Sequence, residues 1–109
     1  MSMQRVTFVR YTTKPNRAAE NEALARAVFA ELKAAAPGNV AYALFRDGAT
    51  FVHLFVNVET DDSIALTELS SFKAFSKNVE ERCEAPPEVI RLSLHLLEAY
   101  GLASVLAPA

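Results

Sequence analysis

The strongest hydrophobic pattern in the chain runs from Val40 to Val58, where two apolar runs meet at Asp47-Gly48. A two-residue primed turn needs positive φ, which glycine supplies without steric cost, so the pattern predicts a β-hairpin. In the second run Val52, Leu54, Val56 and Val58 alternate with Phe51, His53, Phe55 and Asn57. One face of that strand is wholly aliphatic; the other is aromatic with polar insertions. Neither face suits water, so each must be covered. The expectation is that the aliphatic face packs on the chain's own helices and the aromatic face meets a second copy of the protein or a ligand.

The flanking segments supply the remaining elements. Arg5 to Thr13 is rich in β-branched and aromatic residues and predicts the first strand. Lys14-Pro15-Asn16 ends it, with Asn16 as N-cap and Glu20 and Glu22 near the positive end of the helix dipole. The helix runs to about Ala36 on a stripe of Leu24, Val28, Leu32 and Ala35, and Pro37-Gly38 stops it. After the hairpin, Ile64, Leu66 and Leu69 predict a short helical piece, restarted at Ser70-Ser71. Phe72, Phe75, Val79 and Cys83 then form an apolar stripe, with Lys73, Lys77, Glu80, Glu81 and Arg82 on the outer face. Ala85-Pro86-Pro87 breaks the helix. From Val89 to Glu98, Ile90, Leu92, Leu94 and Leu96 alternate with Arg91, Ser93, His95 and Leu97, which predicts a last strand. Tyr100 to Ala109 reads as a tail that packs on a partner.

Strand, helix, strand, strand, helix, strand is the split βαβ order. It predicts an α+β, ferredoxin-like βαββαβ domain, a four-stranded antiparallel sheet with both helices on one face. The 109 residues are expected to form a single domain, 1–109.

Composition narrows the function. A net charge of -2 offers no basic footprint for nucleic acid, and it disfavours anionic membranes as well. The apolar runs are too short for a transmembrane helix, and Met1-Ser2-Met3-Gln4-Arg5 lacks the apolar core of a signal peptide, so a cytoplasmic protein is expected. The lone Cys83 rules out an internal disulfide and reads as a structural helix residue. With three glycines there is no phosphate-cradling loop. His53 and His95 have no third ligand at suggestive spacing, so no metal and no cofactor are expected.

Val9-Arg10-Tyr11-Thr12-Thr13-Lys14-Pro15-Asn16 resembles a first strand closing on a Lys-Pro-Gly-like turn, and Ser70-Ser71-Phe72-Lys73-Ala74-Phe75 resembles a Phe-Lys-x-Phe helix start. Both features are similar to those of the dimeric α/β-barrel superfamily, and within it of the antibiotic-biosynthesis-monooxygenase-like proteins. The resemblance implies a homodimer that pairs sheet to sheet and closes a barrel, with a lumen lined by the faces away from the helices. It implies cofactor-independent oxidation of quinol-like substrates, haem breakdown, or a role without chemistry. The chain lacks tryptophan and its second helix lacks histidine, both of which haem-degrading members use.

In such a barrel His53 and His95 are expected to point into the lumen, flanking the first strand roughly 10 Å apart, with Arg10 between them. As catalytic candidates the two histidines would take a phenolic proton, and Arg10 would hold the developing anion. Tyr42, Phe51, Phe55 and Asn57 complete the candidate substrate-binding set, shaping a pocket for an aromatic or lipophilic small molecule. Two other readings stand beside this one. The histidines are satisfied by neighbouring hydroxyls or lie at the dimer interface, and the protein is a non-catalytic barrel that binds a metabolite or a protein partner.

Overall fold

The computed structural model describes residues 3–36, 38, 40–57, 69–98 and 100. Strand β1 (Gln4–Thr12) leads through a 3-10 turn (Pro15–Arg17) into helix α1 (Ala18–Ala35). Strands β2 (Val40–Asp47) and β3 (Thr50–Asn57) form the hairpin, followed by α2 (Ser70–Lys77), α3 (Val79–Arg82) and β4 (Glu88–Leu94). The sheet order is β2-β3-β1-β4, antiparallel throughout, as the element order predicts.

Local chemistry places the boundaries. Asn16 does not cap α1; Pro15, at the start of the 3-10 turn, sets its first φ, and neither turn nor helix has a side-chain cap. Ala36 closes α1 in the left-handed region at φ 49, its N–H donating to the Leu32 carbonyl at 2.7 Å. In the hairpin Asp47 still pairs with Thr50, so the loop residues are Gly48 and Ala49, with Gly48 at φ 61. Asn78, at φ -127 and ψ 26, separates α2 from α3. Strand β4 ends at Leu94, which faces Gln4, the first residue of β1. The helical piece expected at Ile64 and Leu66, and the tail from 101 onward, lie outside the described residues.

The sheet's two faces are assigned opposite to expectation. Tyr11, Phe51 and Phe55 pack in one cluster with Ala18, Ala25, Val28 and Leu32 of α1 and Phe75 of α2. The aromatic face, His53 included, therefore meets the helices. On the other face Val52, Leu54 and Val56 pair with Arg10, Phe8 and Val6 of β1, beside Phe45, Ile90, Leu92 and Leu94. Phe45, Leu54, Ile90, Leu92 and Leu94 are all exposed there. The reason lies in α1, whose buried stripe is Ala18, Asn21, Ala25, Val28 and Leu32. Its small members leave depth between helix and sheet that only rings can fill, whereas branched aliphatic side chains make a flat surface suited to another sheet. Leu24, expected in the stripe, is half-buried and Ala35 is exposed.

Candidate functional site

The odd-numbered residues of β1 and β3 form the floor of a cavity of about 390 Å³ between the sheet and the helices. Its roof is Phe72 and Phe75 of α2 with Val79 of α3, and Tyr42 of β2 stands at one side. A cavity of this volume with mostly apolar walls is of the size that holds a small organic ligand.

At its inner end lies a chain of hydrogen bonds whose side chains come from five elements. Arg82 of α3, 1% exposed, donates from Nε to Asn21 Oδ1 of α1 at 3.0 Å and from Nη2 to the Phe75 carbonyl at 2.7 Å. Its guanidinium also lies 5.1 Å from the centre of the Phe75 ring. Asn21 in turn donates from Nδ2 to the Tyr11 hydroxyl at 2.9 Å. Tyr11 Oη lies 2.7 Å from His53 Nε2, and Tyr42 Oη lies 2.6 Å from His53 Nδ1.

The first of these contacts have fixed directions. Arg82 can only donate, so Asn21 must present its carbonyl oxygen to Arg82 and its amide to Tyr11. Tyr11 Oη thus accepts from Asn21 Nδ2, and its second partner is His53 Nε2. Burial lowers the His53 pKa to about 4, so the imidazole is neutral at pH 7, with one ring nitrogen donating and the other accepting. In the Nδ1–H tautomer Tyr11 donates to Nε2, and Nδ1–H donates to Tyr42 Oη. The hydroxyl proton of Tyr42 is then directed away from the imidazole and is available to a molecule in the cavity. Burial also pushes the Tyr11 hydroxyl up to about 12 and raises that of Tyr42, so both remain protonated phenols.

Packing holds these rings in place. Phe29 of α1 stacks on Tyr42 with centroids 4.5 Å apart, and Phe55 meets Tyr42 edge-on at 5.5 Å. Phe75 covers His53 at 5.5 Å. Rings locked in this way hold their hydroxyls without the entropy loss of a mobile donor.

Of the residues singled out from sequence, Tyr42, His53, Phe55 and Asn57 come together around this cavity. Phe51 lies beneath it, fully buried, stacked on Tyr11 at 5.6 Å and covered by the Arg46 guanidinium. Arg10 and His95 do not join them. Arg10 shares the aliphatic face with its cross-strand partner Glu88, to which it is ion-paired at 2.6 Å with both side chains half exposed. The parity of β1 puts it on the side opposite Tyr11 and Val9, so no His-Arg-His row exists. His95 is exposed beyond the end of β4, roughly 20 Å farther along the strand direction than His53.

Sequence reasoning missed Asn21 and Arg82 as site residues, and it placed Tyr11 only in the first strand. Asn21 had a signal: it is the polar member of an otherwise apolar helical stripe. The pairing of Tyr42 with His53 was also available from hairpin register, since Tyr42 opposes Phe55 and sits diagonal to His53. The thiol of Cys83 is buried, and burial pushes its pKa up, which leaves it inert.

No family model matches the chain, and no curated protein matches it in sequence. Solved structures do match. A protein from Mycobacterium tuberculosis superposes with TM-score 0.73 at 18% identity, covering 89% of this chain and 99% of that one. One from Caulobacter crescentus, described as a candidate antibiotic biosynthesis monooxygenase, has TM-score 0.72 at 20% identity, covering 87% and 92%. A Pseudomonas aeruginosa protein has TM-score 0.69 at 21% identity, covering 89% and 98%. The chain therefore has the ferredoxin-like fold of the antibiotic-biosynthesis-monooxygenase-like proteins.

Proposed function

We propose that this chain is a cofactor-independent monooxygenase-like enzyme that oxidises a hydroxyarene in the cavity between its sheet and its helices. The observation that carries the reading is the Tyr42 hydroxyl, 2.6 Å from His53 Nδ1 at the side of an aromatic-walled cavity; the Nδ1–H tautomer leaves it free to donate there. The description of the Caulobacter crescentus neighbour supports the same reaction class.

The substrate gives up its phenolic proton to water as it enters, and Tyr42 Oη–H then donates to the phenolate oxygen at the inner end. The electron-rich ring transfers one electron to dioxygen, and the radical pair combines to form a C–O bond and a hydroperoxide. Loss of the ring C–H proton with cleavage of the O–O bond releases water and leaves a quinone carbonyl. In sum, the hydroxyarene and dioxygen give the quinone and water, one oxygen atom entering each product. His53 is a positioning residue in this scheme. In the Nδ1–H tautomer, with Nε2 accepting from Tyr11, it directs the Tyr42 proton and does not take the substrate's. Arg10 and His95, outside the cavity, have no part in it.

The exposed aliphatic face supports a homodimer joined sheet to sheet, with one cavity in each protomer. No described helix is long and apolar enough to cross a membrane, which accords with a cytoplasmic, single-domain protein.

The test is aerobic incubation with 1-naphthol under ¹⁸O₂, following 1,4-naphthoquinone by absorbance and mass. The expected product carries one ¹⁸O, and Tyr42→Phe slows its formation roughly 10- to 100-fold, the range of a hydrogen bond to a charged oxygen. Binding of 1-naphthol with no rate above solvent would instead mark the chain as a non-catalytic ligand-binding barrel.

A further inference from the structure

The hydrogen-bonded chain behind the cavity has a polarity, and that polarity starts at its buried end. Asn21 is fully buried and Arg82 nearly so. Arg82 Nε donates to Asn21 Oδ1 at 3.0 Å, so the amide nitrogen is what faces Tyr11 Oη, 2.9 Å away. Tyr11 Oη accepts from it, and its own O–H needs an acceptor. Tyr11 is 4% exposed, and its hydrogen-bond partners among the described residues are Asn21 and His53. His53 Nε2 can take the Tyr11 proton only as the bare nitrogen of the ring. The opposite tautomer makes Tyr11 Oη accept twice and strands its O–H in the interior, where an unmade hydrogen bond is costly.

We infer that Asn21, oriented by Arg82, is a positioning residue: it selects the Nδ1–H tautomer of His53 and so turns the Tyr42 O–H into the cavity. The inner end of the cavity then selects a ligand that presents a hydrogen-bond acceptor, a carbonyl or phenolate oxygen. The inference rests on the reading that Tyr42 serves a molecule in the cavity, and it adds what decides the direction of that hydroxyl. The polarity passes through the imidazole because a neutral ring donates from one nitrogen and accepts at the other. Asn21→Asp is the change that reverses it. The substitution keeps the shape of the side chain and its acceptor for Arg82, but it replaces the donor facing Tyr11 by a second acceptor. Every bond beyond that point then turns round. Tyr11 donates to the new carboxylate, His53 Nε2–H donates to Tyr11, and Tyr42, whose Oη lies 2.6 Å from Nδ1, donates to the ring instead of to the cavity.

Two readouts test this at pH 8. Ring ¹⁵N shifts and long-range ¹H–¹⁵N couplings of His53, assigned by comparison with His53→Gln, report the tautomer in wild type, Asn21→Asp and Asn21→Ala. The expected result is Nδ1–H in the wild type, Nε2–H in Asn21→Asp and a mixture in Asn21→Ala. In parallel, 1-tetralone, which offers a carbonyl, and tetralin, the same frame without it, are titrated into each protein. The preference for tetralone is expected to fall roughly five- to tenfold in Asn21→Asp relative to wild type, the range of one hydrogen bond. A wild-type ring protonated on Nε2 overturns the inference, and so does a ring that stays Nδ1–H in Asn21→Asp; the latter result leaves the role of Tyr42 standing. If Asn21→Asp does not fold, Asn21→Ala decides, and an unchanged Nδ1–H ring there overturns the inference. A tautomer switch with an unchanged tetralone preference overturns the selection of an acceptor. Failure of both probes to bind overturns the cavity reading and the ligand selection with it, while a tautomer switch in the same samples upholds the control of the ring by Asn21.

Discussion

Acidification is the perturbation that most directly tests the neutral His53. Its ordinary value of 6.5 is lowered to about 4 in the folded protein, and burial is the cause. Between these values the unfolded chain binds a proton that the folded chain refuses, so stability is complete above pH 6.5 and falls as the pH drops toward 4. The linkage relation gives a loss of about 2 kcal/mol between pH 7 and pH 5, and about 3 kcal/mol once the folded value is reached. Because His53 is 4% exposed, little of this is screened by solvent. Glu20, Glu22 and Glu31 are lowered from 4.5 by their partners, so their own contributions are lost mainly below this window. The assay is urea unfolding followed by circular dichroism at pH 7, 6 and 5, at one protein concentration, for wild type and His53→Gln. Wild type is expected to lose about 2 kcal/mol over this range, against less than about 0.5 kcal/mol in the variant. Parallel slopes would refute the assignment. Imidazole ¹⁵N shifts at pH 7 provide an independent check: they are expected to show a neutral ring, with its proton on Nδ1 as the proposed role of Tyr42 requires.

Other perturbations probe the supports of the site and the surfaces around it. Arg82→Met leaves Asn21 Oδ1 and the Phe75 carbonyl without their donor, and is expected to cost roughly 2–4 kcal/mol in chemical denaturation. Arg82→Lys should not restore it, because a point charge cannot serve two acceptors in fixed directions. Leu92→Asp, on the aliphatic face, is expected to convert a dimer to a monomer by light scattering while naphthol affinity stays within about twofold. Ala36→Gly and Gly48→Ala should move the melting temperature in opposite directions, each by the equivalent of about 1 kcal/mol. Both positions lie at positive φ, and the added Cβ at Gly48 would touch nothing within 4 Å, so only backbone strain is changed.

Much of the fold was legible in the chain, because turn residues and periodicity act locally. Asp47-Gly48 marked the hairpin to within one residue, and Pro86-Pro87 separated the last helix from the last strand. The element order then led to the strand order. The inward face of the sheet was not legible in the same way. Alternation divides β3 into two sets, and when both are apolar it does not say which set the helices cover. That was decided by the size of the residues on α1, a property of the partner and not of the strand. Arg82 was hidden for a related reason. Among Lys77, Glu80 and Glu81 it reads as one more solvated charge, and only the break at Asn78 and an amide 61 positions away in sequence draw it inside.

The division of β3 by parity has a consequence for how this protein can change over evolutionary time. His53, Phe55 and Asn57 serve the cavity, whereas Val52, Leu54 and Val56 form the outer sheet surface, and the two sets alternate without interruption. Point substitutions can therefore alter ligand chemistry and self-association independently of each other. An insertion or deletion of one residue near the start of β3 cannot, because it exchanges the sets, turning the imidazole outward and a leucine or valine toward Tyr11. Length variation in this hairpin is thus confined to the Gly48-Ala49 loop, and the strand itself is expected to diverge by replacement alone.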